Sequence, residues 1–386
     1  MHTESVSLSL PKRTIRAAVG TFFFIQGICF ASWASRIPHI QNQLGLSDAE
    51  LGGVLLALPV GLMASLPLAG WLVARYGSRQ IVITSVSLYA TTLPLIGLAQ
   101  ASWHLVAILF LYGLWGNLAN ISINTQAVGT EALYGRSIMA SFHGIWSLAG
   151  FSGAAIGTLM ISFHVAPFVH FCLISLLAYL LVLVAFRYIL PHDAPRDENQ
   201  PLFVKPDRTL LLLGLIAFCS MTCEGAMFDW SGVYFHKIVN APPELTTLGY
   251  VAFMSTMAGG RFIGDWLAVK LGVKRLIQLN GAVIALGLLI AVLFPYLVSA
   301  TLGFLLVGVG VSTIVPLVYG AAGKSKTMSA GMALAAVSSI SFFGFLLGPP
   351  MIGFISEASS LRWSFAIVAV LGFCTSLLIG KVKGEQ

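Results

Sequence analysis

Residues 209–234 read TLLLLGLIAFCSMTCEGAMFDWSGVY. The run is long enough to cross the ~30 Å hydrocarbon core of a bilayer as one α-helix. Its only charged residues are Glu224 and Asp229. A charge at the centre of such a span costs roughly 2.5–3.5 kcal/mol even on the lenient insertion scale, so an acid kept there points to function. At ~1.5 Å of rise per residue, Glu224 lies ~22 Å along the helix and Asp229 near its far end. The two acids are five positions apart and do not share quite the same face.

Outward from this run, the chain repeats the same composition. Of its 386 residues 57% are hydrophobic and 9% charged, whereas a soluble domain carries about 25% charged residues. Apolar runs fall near 15–36, 49–72, 80–99, 103–126, 137–161, 165–188, 209–234, 246–269, 275–295, 298–321, 328–354 and 363–381. Twelve such runs predict an all-α polytopic membrane protein and exclude a barrel, which needs alternating strands of about ten residues. The first run follows a polar start with no small-residue cleavage site, so it reads as a retained helix rather than a signal peptide. The five cysteines all lie in apolar runs, as packed thiols do, without metal-site spacing.

Charge placement orients the chain. With the N-terminus cytoplasmic, 17 of the 21 basic residues fall on the cytoplasmic side and three, Arg36, Lys237 and Arg362, on the other. That asymmetry follows the positive-inside rule and places both termini in the cytoplasm. It also accounts for the net charge of +7 without a nucleic-acid partner. The polar, Pro-rich stretch 189–208 reads as a cytoplasmic linker between two six-span halves, 1–188 and 209–386.

The halves look duplicated. Arg75-Tyr76-Gly77-Ser78-Arg79 follows the second span, and Lys270-Leu271-Gly272-Val273-Lys274 follows the eighth, 195 positions later. Trp33 matches Trp230 at an offset of 197, and Gly153 and Gly157 match Gly348 and Gly353 at 195 and 196. Internal repeats of this kind mark secondary transporters, with the substrate site at the repeat interface near the bilayer midplane.

These motifs resemble the major facilitator superfamily. Its loop between spans two and three usually reads G-x-L-A-D-R-x-G-R-[RK], and this chain matches at Gly70, Leu72, Arg75, Gly77 and Arg79. It departs at Ala74, the family's Asp, and at Ser78, so the gate attributed to that Asp does not carry over. Ala31-Ser32-Trp33-Ala34-Ser35-Arg36-Ile37-Pro38, Glu224-Gly225-Ala226 with Asp229-Trp230-Ser231, and Gly348-Pro349-Pro350 resemble the YbjJ/MosC-like branch, distantly similar to fucose permeases. The resemblance covers essentially the whole chain. It implies two pseudo-symmetric six-helix bundles rocking around a central cavity lined by spans 1, 4, 5, 7, 10 and 11.

Polar residues within the spans are the candidate site. Asn117, Asn120 and Asn124 share one face of span four, which suits a hydrated wall for polar substrate groups or interhelical hydrogen bonds. Gln26, Trp33, Trp146 and Trp230 join them as substrate-binding candidates, the indoles either stacking on cargo or anchoring at the interface. Glu224 is the candidate proton carrier; Asp229 and His143 are further titratable candidates. Asp229 and Arg36 are level in depth and are expected to pair as an outer gate. Glu131 is expected to pair with Arg75 or Arg79 at the inner face, and Arg261 with Asp265 at i, i+4, in gating roles. Gly225 and Gly232 would permit local unwinding of span seven.

The expected activity is secondary transport of a sugar-like or other small polar metabolite across the bacterial inner membrane, coupled to protons. A broad-specificity exporter of cationic drugs also fits the Phe, Met and buried acids. No phosphate-binding loop, metal-ligand set or nucleophile triad is visible, so no cofactor is expected and an integral enzyme or a receptor fits less well. The expected partners are the small-molecule substrate, protons and the lipid bilayer, with the chain a monomer.

Overall fold

The computed structural model describes residues 11–135, 138–193, 206–325 and 330–382, with backbone alone at 140, 265, 330, 331 and 335. The predicted linker lies, from 194 to 205, outside the described residues. Every described span is helical: α1 (Lys12–Leu44), α2 (Asp48–Leu55), α3 (Ala57–Tyr76), α4 (Ser78–Ile96), α5 (Ser102–Tyr134), α6 (Met139–Ser162) and α7 (Pro167–Ala185) form the first half. The second half holds α8 (Arg208–Lys237), α9 (Leu248–Leu271), α10 (Val273–Leu293), α11 (Leu297–Ala322), α12 (Ala330–Ala358) and α13 (Leu361–Lys381). Helices α2 and α3 are one rod, interrupted at Leu56. The interruption has a local cause: Pro59 has no N–H to give the carbonyl of Leu55.

Among the described residues these helices make twelve rods. Ten are long and apolar enough to cross a membrane by length and composition alone. The other two are α4, diluted by Ser and Thr, and α9, which carries Arg261, Asp265 and Lys270.

The packing repeats between the halves. In the first, α1 packs on α6 and α7, α3 on α5, and α4 on α5 and α7. In the second, α8 packs on α12 and α13, α9 on α11, and α10 on α11 and α13. The repeat extends to the backbone. Gly77 and Gly272 both turn with φ near 79°, a conformation that L side chains rarely adopt. Arg75 lies 5.5 Å over the Trp71 ring and Lys270 lies 4.9 Å over Trp266, the same cation–π contact one offset apart. These turns mark one end of the molecule, the basic face. Trp33 and Trp230 are both fully buried in the core.

The halves meet along α1·α8, α2·α12 and α6·α9. Helix α8 runs unbroken from Arg208 to Lys237, so Gly225 and Gly232 are not sites of unwinding. They are packing positions: an added Cβ would lie 3.0 Å from the Phe345 ring at Gly225 and 2.8 Å from Pro38 at Gly232.

Within the first half, a Cβ at Gly61 would fall 2.0 Å from the carbonyl oxygen of Phe110, whereas one at Gly70 would meet nothing within 4 Å. Overpacking of this kind costs about 1–3 kcal/mol. Gly61→Ala is expected to lower the unfolding midpoint of the detergent-solubilised protein, and Gly70→Ala to leave it unchanged or slightly raised. Equal midpoints for the two variants would contradict the packing described.

Candidate functional site

A cavity of about 320 Å³ lies between the halves. The first half supplies Gln26 and Phe30 from α1, Asn117 and Asn120 from α5, and His143 and Trp146 from α6. The second supplies Glu224, Phe228 and Asp229 from α8, Arg261 from α9 and Phe345 from α12. The second, third and eighth rods also line it, through residues such as Leu58, Tyr89 and Arg261. Among the described lining residues none comes from the tenth rod, which the resemblance had implied.

The centre of the cavity is an ion pair. Arg261 Nη2 lies 3.4 Å from Glu224 Oε1, and its Nη1 donates to Ser147 Oγ at 2.7 Å. Its guanidinium carbon is 5.7 Å from the Trp146 ring centroid. Arg261 therefore joins α9 and α8 to α6, a helix of the other half. The Asp265 side chain lies outside the described atoms, and with it the expected i, i+4 pair. Arg261 also faces the cavity, which a purely structural residue would not need to do.

An amide wall faces the pair. Gln26 Nε2 donates to the Gly116 carbonyl at 2.8 Å. Asn117 Nδ2 donates to the Leu62 carbonyl at 3.1 Å and to Ser65 Oγ at 2.7 Å. Asn124 does not line the cavity; its amide donates to Asn120 Oδ1 at 2.9 Å and fixes that side chain. Among the described residues, the amide nitrogen of Asn120 and the carbonyl oxygens of Gln26 and Asn117 have no side-chain partner. His143 opens onto the cavity, edge-on to Phe23 at 5.4 Å.

Several expected roles are corrected. Trp33 and Trp230 are 0% exposed and stand behind the cavity, not in it. Arg36 is 1% exposed, and its Nε donates to His170 Nδ1 at 3.2 Å and its Nη2 to the Val165 carbonyl at 2.9 Å. It ties α1 to the start of α7 rather than meeting Asp229, which lines the cavity. Glu131 accepts from the Ile138 and Met139 amides at 2.7 and 2.9 Å, capping α6. Arg75 instead lies over Trp71 and Tyr76, and Arg79 donates to the Phe186 carbonyl at 3.3 Å.

A family model of the Major Facilitator Superfamily matches residues 19–327. The chain belongs to the Major Facilitator Superfamily. It is 33% identical over 354 residues to an uncharacterized MFS-type transporter of Yersinia pestis, covering 90% of this chain and 91% of that one. It is 31% identical over 382 residues to membrane protein MosC of Rhizobium meliloti, covering 97% and 92%. Among solved structures, it shares its fold with a bacterial homolog of the human lysosomal transporter Spinster, inward-facing and unoccupied, at a TM-score of 0.75 and 16% identity over 98% of this chain and 99% of that one. The nucleoside transporter NupG superposes at a TM-score of 0.74 with 14% identity, over 96% of this chain and 100% of that one. The protein is a multi-pass membrane transporter of small molecules, not an enzyme.

The contacts between the two halves of this MFS transporter are one-sided. At the face opposite the basic one, Asp48 Oδ1 accepts from Lys237 Nζ at 2.6 Å and from Gln41 Nε2 at 2.8 Å, and Oδ2 accepts from Ser356 Oγ at 2.5 Å. Glu357 accepts from the Asp48 and Ala49 amides at 3.2 and 3.4 Å, placing a carboxylate on the N-terminus of α2. Gly353 closes the seam, for a Cβ there would lie 2.4 Å from the Asp48 carbonyl oxygen. Among the described residues, no hydrogen bond or ion pair joins the halves nearer the basic face than Arg261–Ser147. Sequence reasoning missed this latch because its members sit in ordinary polar loop ends. Beneath the basic face, Ser78, where the superfamily usually has a basic residue, donates its amide to Asp193 at 2.7 Å, and Gln126 donates to its hydroxyl at 2.7 Å.

Asp48→Asn is expected to weaken the latch, and a charge-assisted bond is worth about 1.5–3 kcal/mol. With Met221→Cys as a cavity reporter in a background lacking the native cysteines, labelling from the Asp48 face should speed up about tenfold, the factor for ~1.4 kcal/mol. An unchanged rate would show that Asp48 does not hold that face closed.

Proposed function

We propose that the protein is a proton-coupled transporter of the inner membrane, monomeric with both termini cytoplasmic, moving a small polar metabolite by alternating access. Glu224 carries the proton. The observation that supports this reading best is the Glu224–Arg261–Ser147 chain, whose first two members line the cavity and which crosses between the halves.

The chemistry follows from charge. Ionised Glu224 holds Arg261, and Arg261 in turn holds Ser147 of the other half. Protonation of Glu224 removes the counter-charge and leaves a buried guanidinium without its anion, a costly state in low dielectric. Arg261 must then move toward water or toward another acceptor, and the bond across the halves is lost. Proton binding and the relation of the two bundles are thereby linked through a single side chain.

The cavity also bears on cargo size. A volume of about 320 Å³ lies at the lower end of the range for small-molecule sites. It suits a metabolite of sugar size better than a bulky drug, despite the aromatic walls. The amides of Gln26, Asn117 and Asn120 suit hydroxyl groups.

In proteoliposomes loaded with a pH dye, a panel of sugars and small hydroxylated amines would be screened for a solute that moves protons. With that solute, Glu224→Gln is expected to lose at least tenfold of pH-gradient-driven accumulation while keeping counterflow exchange. Full gradient-driven accumulation by Glu224→Gln would overturn the coupling role.

A further inference from the structure

The Glu224–Arg261 pair leaves a second carboxylate in the same cavity. Asp229 lines it and, among the described residues, has no hydrogen bond and no ion pair. The cations that could have neutralised it are engaged elsewhere: Arg261 on Glu224 and Ser147, Arg36 on His170 and the Val165 carbonyl, and Lys237 on Asp48. An acid held in a membrane cavity without a resident partner calls for a partner that arrives and leaves.

The surroundings of Asp229 narrow what that partner is. Tyr112 is 0% exposed, lines the cavity and stacks on Tyr89 at 4.1 Å. Tyr250 is 1% exposed, and its hydroxyl has no partner. A buried hydroxyl without a partner is uncommon in folded proteins, and that of Tyr250 lies within electrostatic reach of the unpaired carboxylate. Next to Asp229 in sequence, Phe228 gathers aromatic rings: Phe30 at 5.2 Å edge-on, Trp146 at 6.3 Å and Phe345 at 6.4 Å. A cavity that holds an unpaired carboxylate together with aromatic rings suits a positively charged nitrogen. Among the described lining residues an anion finds no cation without a partner, and a neutral polyol leaves Asp229 without a counter-charge.

We infer that Asp229 anchors a protonated amine on the cargo, so that the transported molecule is a small hydroxylated amine, cationic at neutral pH. Its ammonium group sits against Asp229 and the Phe228 cluster, and its hydroxyls face the amides of Gln26, Asn117 and Asn120. The inference rests on the transport reading above and deepens it: Glu224 and Asp229 have separate duties, the first toward the proton and the second toward the cargo.

The test uses matched pairs that differ only in amine against hydroxyl: glucosamine and glucose, galactosamine and galactose, serinol and glycerol. Binding to the full-length protein in detergent is read as the ligand-dependent rise in unfolding midpoint. At least one amine member is expected to stabilise the protein while its hydroxyl partner does not. Asp229→Asn, which keeps the shape and removes the charge, should weaken that amine at least tenfold, and Asp229→Glu should restore part of the loss. Midpoints without ligand show whether each variant is folded, and Asp229→Glu keeps the charge requirement testable if the Asn variant is not. The inference is overturned if no amine stabilises the protein, if the hydroxyl partners bind as well, or if Asp229→Asn binds the amine as tightly as the parent. Counterflow in proteoliposomes separates the two readings. Uptake of the hydroxyl partners alone would sink the amine site and leave transport standing; amine binding without any uptake would do the reverse.

Discussion

The Arg261 guanidinium sits between helices with a counter-charge beside it, and Glu224 supplies that charge. The pair is half of a longer chain of contacts, because the same Arg261 donates to Ser147 on the opposite bundle. Much of the cavity's electrostatics follows from it. One acid is paired, and the other, Asp229, lines the cavity with no ion pair among the described residues. The Trp146 ring under the guanidinium is likewise fixed by the pair. Remove Glu224 and Arg261 becomes a buried cation with only a hydroxyl and a ring to hold it, a state that costs several kcal/mol.

The latch at the opposite face works by different physics. Lys237 and Asp48 are partly open to solvent, where a single ion pair is worth little. Strength there comes from convergence: one carboxylate accepts from three side chains, a second caps a helix N-terminus, and glycines allow the backbones to touch. Such a seam is bistable, since a small separation forfeits all of its members together. The proposed cycle combines the two devices, with the central pair sensing the proton and the outer seam reporting which face is closed.

Much of the architecture was legible because membrane spans are governed by few rules. Apolar length located the twelve rods, and the spacing of Gly77 and Gly272 anticipated two turns with the same backbone. Glu224, His143, Gln26 and two of the three asparagines were found by asking which polar side chains a bilayer would not tolerate without reason, and all of them line the cavity. What failed was pairing. Depth along a helix fixes the height of Arg36 and Asp229 but not the direction each faces, and Arg36 turns to His170 inside its own half. Trp33 and Trp230 were misplaced for the same reason: equal positions in the two repeats placed them in the core, behind the cavity wall. Glu131 was expected to meet Arg75 or Arg79 and caps α6, a role that charge arithmetic does not reveal.

The central claim is that the charge on Glu224 sets the relation between the bundles. It is tested most directly by pulsed electron spin resonance distances across the latched face, with labels at the exposed positions Gln43 and Ala358, as pH is lowered. The account predicts that the parent protein shifts from a short to a longer distance as Glu224 takes up its proton, while Glu224→Gln shows the longer distance at every pH. A Glu224→Gln protein that titrates as the parent does, or a parent whose distances ignore pH, would contradict it.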